Sequence, residues 1–490
     1  MPGTRRPAPR HTAVADSGSA PAAIAPADGP SAADRPPTAG RAPSAASRTA
    51  DRRSRRRRTL RSAAALGCAG LALTACSSSG TPVAPAASGI QETITLKVGT
   101  FGSFGYREAG LFAEYMDRHP EIVITEEAIQ DGKEYWNDLT SRFSGQNPKP
   151  VADIQAVEVG YIAEATGALA DKFTDLRSAT GVHASAWLPW KSAQATTPDG
   201  ALLGLGTDTG PMAVCYRKDL FKKAGLPSDR DTVGKLWAGD WSKFVDVGRR
   251  YKAHAPAKTT FTDSAGGLFN AVLSSESEQL SDARGNLVYQ DSAGVQKAWD
   301  LSVSAARAGL TGGLQQFTAQ WNDALYLSGF ATIVCPSWMT GVISKYAGDR
   351  GEGLWDIAPA PAAGNWGGAF LAVPKASRHQ KEAAALAAWL TAPEQQAKVF
   401  AKTGNLPSAG AALQLPAVQD ATNPYFNNAP TGRIYAAAAR TIRPAPIGPL
   451  DGTAKAVITD TALLDVERNG TDPRKAWNNA VKVITEKAGG

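Results

Sequence analysis

The chain has 490 residues, with 52 basic and 45 acidic side chains and a formal net charge of +7. The excess sits at one end: residues 1–75 hold 13 Arg, no Lys and 4 Asp, leaving 39 basic against 41 acidic side chains in the rest. The overall pI near 9.1 is therefore no sign of nucleic-acid binding, which needs its basic residues on the folded domain.

Residues 2–50 are rich in Ala, Pro, Arg and Ser and lack apolar periodicity. Such a composition cannot bury a core, so disorder is expected. The cluster Arg52, Arg53, Arg55, Arg56, Arg57, Arg58 and Arg61 then precedes an uncharged apolar run, Ala63 to Ala75. A basic segment, a short apolar segment and small residues before a cut describe an export signal. The run is too short for a membrane span, which needs about 20 residues. Leu73-Thr74-Ala75-Cys76 matches the bacterial lipoprotein pattern, in which the thiol is lipidated and becomes the new N-terminus. General secretion and a twin-arginine signal, with Arg57-Arg58 as its pair, are both open as routes. An over-long start is a further reading of the stretch before Arg52. Residues 1–75 are thus expected to be a disordered leader and signal peptide. Residues 76–91, rich in Ser, Pro and Ala, form the lipidated tether.

From Cys76 onward 415 residues remain, enough for two or three lobes. The first expected strand is Thr93–Val98, followed by the loop Gly99–Gly105 and a helix over Tyr106–Arg118. A strand at Ile122–Thr125, a helix at Tyr135–Phe143, a strand at Ala152–Val157 and a helix at Tyr161–Gly167 repeat the alternation. That order argues for a parallel sheet with helices on its faces. Thr207–Pro211 leads into the strand Met212–Tyr216 and the helix Lys218–Ala224. Helices are expected at Trp241–His254, Gly294–Gly309 and Trp321–Leu327, then a strand at Ala331–Cys335. The strand Phe370–Val373 and the helix His379–Leu390 follow. Helices near Gly432–Ala439, Thr453–Glu467 and Pro473–Lys487 close the chain. No internal repeat interrupts it, so the lobes are expected to be interwoven.

Cys68 leaves with the signal and Cys76 takes the lipid, which leaves Cys215 and Cys335 in an oxidising setting. Each lies in an expected strand. They can be bridged if the strands are neighbours; otherwise they are two buried free thiols, since free Cys behaves as a small hydrophobe.

Catalytic signatures are sparse. His119, His183, His254 and His379 have no partners at metal-ligand spacing. There is no G-x-S-x-G elbow and no phosphate-binding P-loop. Gly99–Gly105 reads GTFGSFG, not G-x-G-x-x-G, so no cofactor is expected. Glu158, Asp208 and Asp263 are candidates for a glycosidase pair, which would need a separation of about 5–9 Å. All twelve tryptophans lie beyond the leader. Trp237, Trp299, Trp389 and Trp477 sit on amphipathic helices and are expected in the core. Trp187, Trp190, Trp338 and Trp366 lie in turn-rich or strand-exit segments, where side chains can line a cleft. Flat indoles with a few convergent polar groups suit a sugar pocket.

Four segments then carry a resemblance. They are Gly204–Phe221 (GLGTDTGPMAVCYRKDLF), Pro336-Ser-Trp-Met339, Asn365–Pro374 (NWGGAFLAVP), and Glu382–Trp389 with Thr391–Gln396 (TAPEQQ). In that order, behind a lipoprotein signal, they resemble the solute-binding lipoproteins of bacterial carbohydrate ABC importers, similar in layout to the maltose-binding protein. The resemblance covers residues 92–490. It implies an α/β, two-lobed, periplasmic-binding-protein-like fold of type II, with ligand in the interlobe cleft and no enzymatic activity. Carried over, lobe 1 is 92–207 plus 358–410, and lobe 2 is 208–357 plus 411–490. Trp338 matches a sugar-stacking tryptophan. Trp366, with Asn365 and Gly367, matches a turn where backbone approaches ligand. Asp208 falls at the first crossing, as a ligand acid or as a structural turn residue. Glu158 follows a strand where the family presents a polar contact. Phe104 and Tyr106 belong to a cleft-facing first loop. Trp187 and Asp263 complete the expected set.

Arg443–Gly448 has no aromatic where the maltose protein has a stacking one. The resemblance further implies an oligosaccharide ligand, best matched to cellobiose or a cello-oligosaccharide. It implies a monomer held by its lipid on the extracytoplasmic face of the cell membrane, with ABC permease subunits as partners. A secreted glycoside hydrolase is the alternative.

Overall fold

The computed structural model describes residues 92–489. The leader, the signal segment and Cys76 lie outside the described residues. Eleven strands are described: β1 Ile94–Phe101, β2 Ile122–Ile129, β3 Ile154–Glu158, β4 Leu205–Gly206, β5 Asp208–Thr209, β6 Met212–Arg217, β7 Thr260–Thr262, β8 Phe330–Pro336, β9 Trp355–Pro359, β10 Ala369–Ala372 and β11 Leu406–Pro407.

The first sheet runs β2-β1-β3-β10-β4. β1 is parallel to β2 and β3, and β10 is antiparallel to β3 and β4. β1 and β2 are longer than their apolar runs suggest, and stay paired from Ile94–Ile122 to Phe101–Ile129. Gly99 belongs to this strand and not to a loop. A Cβ there would sit 2.5 Å from Gln155 Oε1 and 3.0 Å from the Tyr135 hydroxyl, so the glycine serves close packing. The helix expected from Tyr106 begins only at Leu111. Gly105 and Gly110 have φ of +76° and +73°, which a right-handed helix cannot contain. Helices close over this sheet around a core that includes Leu96, Val98, Trp136, Ile154, Phe370 and Leu386.

The second sheet runs β7-β8-β6-β9. β6 is antiparallel to β8 and β9, while β7 is parallel to β8. Its two faces have separate cores. One gathers Trp237, Trp241, Phe244, Tyr251 and Phe261; the other gathers Trp321, Phe330, Met339, Trp355 and Tyr435. The helix Ala265–Ser274, glycine-rich and without periodic signal, is almost wholly buried beside the first. Trp237 and Trp299 are buried as expected of core residues, and Trp389 and Trp477 pack against the cores half-buried. Cys215 on β6 and Cys335 on β8 are joined as a disulfide, with Cα atoms 5.4 Å apart.

The chain passes between the two sheets at Gly206–Pro211 and again at 360–368. β5 of the first passage pairs antiparallel with β11, Leu406 opposite Thr209. The helix Pro393–Thr403 spans both sides, Val399 packing in the first core and Phe400 in the second. One boundary differs from expectation: β9 keeps residue 359 in the second sheet, so the return passage starts beyond 358. The expected helix Thr453–Glu467 is an α-helix over Asp451–Val457, a π-helical stretch over Ile458–Leu463 and an α-helix over Leu464–Asn469.

Candidate ligand-binding site

The carboxyl ends of β1, β3 and β8 and the amino end of β6 all point toward the passages. Open α/β sheets take ligands outside the carboxyl ends of their strands. A pocket lies there, lined from both sides. Val159, Gly160, Trp190 and Gln194 come from the first lobe. Asn270, Leu273, Ser274 and Gln279 come from the second, with Asp451 and Lys455. The passage turn Asn365-Trp366-Gly367 and the loop around Arg443 complete the wall.

Each wall has a local cause. Trp190 and Gln194 stand four residues apart on the short helix Pro189–Gln194, so one face presents both. Proline at its first turn starts that helix. Trp366 lines the pocket but is only 8 % exposed and packs into the second lobe's core, so it is less open than a free stacking plate; a pair of backbone contacts fixes it. Its N–H donates to the Gly210 carbonyl (2.8 Å), and the Asn365 side chain accepts from Gly210 N–H (2.8 Å). Asn365 also donates to the Gly367 carbonyl (2.9 Å). It therefore staples the turn. Gly367 has φ +97°, and a Cβ there would lie 2.8 Å from Trp338 Nε1. A side chain at Gly210 would run into the Trp366 carbonyl. The glycines thus let two passages touch, besides letting anything approach from the pocket.

The polar atoms of the pocket are unevenly satisfied. Gln194 and Asn270 each have a buried side-chain carbonyl oxygen without a hydrogen-bond partner among the described residues. Such an atom costs free energy until something donates to it. Asp451 accepts from the Ser281 hydroxyl, and burial raises its pKa above the usual carboxylate range.

Not every expected residue reaches this wall. Trp338 is half-buried beside it, its Nε1 donating to the Trp366 carbonyl (3.0 Å). Glu158 ends β3 and accepts from the Gly160 N–H (2.6 Å), so it shapes the backbone that lines the pocket. Asp208 Oδ1 accepts from the Thr207 hydroxyl (2.7 Å) and from Ala369 N–H (2.9 Å). It pins one passage to the start of β10.

Trp187, expected at the cleft, is 4 % exposed and packs in the first core, bridged to Ala409. Trp190, three residues on, takes the pocket position. Phe104 and Tyr106 are likewise packed in the first core, ring to ring at 5.7 Å. The Tyr106 hydroxyl has no partner among the described residues, and burial first, then the Asp208 charge, raises its pKa. Asp263 is buried at the end of β7, accepting from Gln316 (2.7 Å) and Trp321 (2.9 Å). Sequence reading missed Gln194, Asn270, Gln279, Asp451 and Lys455. Lys191 was missed as well. It is fully buried, with Nζ 3.9 Å above the Phe370 ring and no hydrogen-bond partner among the described residues. Burial lowers its pKa to about 8, against the pull of Asp208 and Glu158. No group of three or more His, Cys, Asp or Glu suited to a metal occurs among the described residues.

A pocket between two α/β lobes joined by crossing strands defines a ligand-binding receptor. Residues 110–426 match the family of bacterial extracellular solute-binding proteins. The chain belongs to that family and is a binding protein, not an enzyme. It is similar to a crystal structure of an extracellular solute-binding protein of family 1, at 40% identity over 80% of this chain and 99% of that one, TM-score 0.69. A binding protein from B. animalis subsp. lactis, solved with beta-1,6-galactobiose, shares the fold at TM-score 0.68 and 18% identity, covering 81% of this chain and 98% of that one. The arabinooligosaccharide-binding protein of Bacillus subtilis is 26% identical over 191 residues. That match spans 37% of this chain and only 42% of the relative.

Proposed function

We propose that the protein captures an oligosaccharide outside the cytoplasm and delivers it to the permease subunits of an ABC importer. The observation that carries this reading is the pocket itself. Two indoles, Trp190 and Trp366, line it together with Gln194 and Asn270, whose buried amide oxygens have no partner among the described residues. Indole faces cover apolar sugar faces, and hydroxyl groups donate to free carbonyls. The relatives named for arabinooligosaccharide and galactobiose support the same ligand class. A β-linked gluco-oligosaccharide of the cello type is the ligand we favour, on the motifs Phe101–Tyr106 and Gly206–Arg217. Within the pocket Trp366 is the stacking plate, with Trp338 beside it. Asp208 holds the first passage in place, and Glu158 shapes the backbone at Gly160 that lines the pocket. Cys76 carries the lipid that keeps a monomer at the membrane surface.

Residues 77–490 should be screened by thermal shift against cello-, xylo-, arabino- and galacto-oligosaccharides. A ligand that binds only the folded state raises stability by mass action, about 2.7 kcal/mol at a hundred times Kd. A rise in Tm with one series, and chains recovered uncut, is the expected result. Cleavage of the chains would overturn it.

A further inference from the structure

We propose that Phe317 is an additional sugar-stacking plate, which extends the binding surface from the pocket to the rim of the second lobe. The inference rests on the oligosaccharide reading above. Phe317 is 37% exposed, one of few large apolar side chains held out to solvent among the described residues. Its φ is +66°, in the left-handed region that an aromatic residue rarely enters. Strain of this kind persists only where the surroundings enforce it, and it gathers at ligand sites.

The surroundings do enforce it. Gln316, one residue before, donates to Asp263 Oδ2 at 2.7 Å, and Trp321 Nε1 donates to the same oxygen at 2.9 Å. Asp263 is a fully buried carboxylate immediately after β7. Thr318, one residue after, caps the helix Ala319–Leu327. A buried charge and a helix cap thus grip both flanks of a residue whose own side chain points outward. The ring is linked to the site through Trp338. Its centroid is 6.1 Å from Trp338 at an interplanar angle of 39°, and Trp338 is 6.2 Å from Trp366 in the pocket wall. Trp366, Trp338 and Phe317 are thus joined by successive ring contacts that start at the pocket wall, Trp338 standing edge-on to Trp366 at 89°. A sugar chain longer than the pocket would meet Phe317 next. The alternative is that Phe317 only covers Trp321, 5.4 Å away.

Phe317→Ala, Phe317→Leu and Phe317→Tyr should be compared with the parent by calorimetry, using the two-unit and four-unit members of each series above. Loss of one stacking plate should weaken the four-unit chain roughly five- to hundredfold in the Ala and Leu variants. Binding of the two-unit sugar should stay unchanged, and Tyr should retain affinity. Leu keeps the apolar cover over Trp321, so a cover role predicts normal binding by that variant. Equal affinity of parent and Leu variant for the four-unit chain overturns the inference while leaving the sugar reading intact. A folded parent that binds none of the chains overturns both.

Discussion

Glu467 accepts from the Ala265 N–H at 2.8 Å and so caps the buried helix Ala265–Ser274. Burial, and secondarily the Asp263 charge, raises its pKa from 4.5 to about 7. The folded state therefore keeps a proton between pH 4.5 and 7 that the unfolded chain releases. Stability from this group is present below pH 4.5 and is lost as pH rises through 7, by up to about 3 kcal/mol. Glu467→Gln keeps an accepting oxygen and does not titrate. Denaturant melts across pH 4–8 should show a shallower decline for the variant; the same slope in both would refute the assignment. Nothing in the sequence marked Glu467, because its neighbours are more than 150 positions away. The turn that carries Trp366 was legible because it is a contiguous motif. Gln194 and Asn270 were not, because only the fold brings ordinary helix residues to one wall.

At the scale of elements, the alternation of strands and helices in the first lobe was readable from apolar spacing, since each run is local. What failed was where glycine overrode it. Gly99 extends a strand, and Gly105 with Gly110 delays a helix. β9 and the helix Ala265–Ser274 carry no periodicity because most of their residues are buried whichever face they occupy. The neighbouring strands β6 and β8 bring Cys215 and Cys335 together across 120 positions. A cross-link over so long a loop constrains the unfolded chain strongly, with a contribution of about 3–5 kcal/mol. Replacing both cysteines by serine should lower stability by that order in urea melts. Two free thiols in the denatured, unreduced mature protein would contradict the bridge.

For the molecule as a whole, the two lobes meet at a seam where Gly160 and Tyr161 face Gly452. A Cβ on Gly452 would lie 2.7 Å from the Tyr161 ring and 3.0 Å from the Gly160 carbonyl. Glycine lets the lobes come this close, and a hinge closure around ligand is expected to use this seam. Gly452→Val should leave sugar-free melting almost unchanged, weaken sugar binding at least tenfold, and abolish the fall in radius of gyration on adding sugar to the parent. A variant that still compacts would show the seam is not needed for closure. The most direct test of the central claim is titration calorimetry of residues 77–490 with the oligosaccharide that gives the largest thermal shift. Parent, Trp190→Ala and Trp366→Ala should be compared. The account predicts saturable one-to-one binding by the parent, weakened by about 1–3 kcal/mol in each folded variant. Undiminished binding by both variants would contradict it.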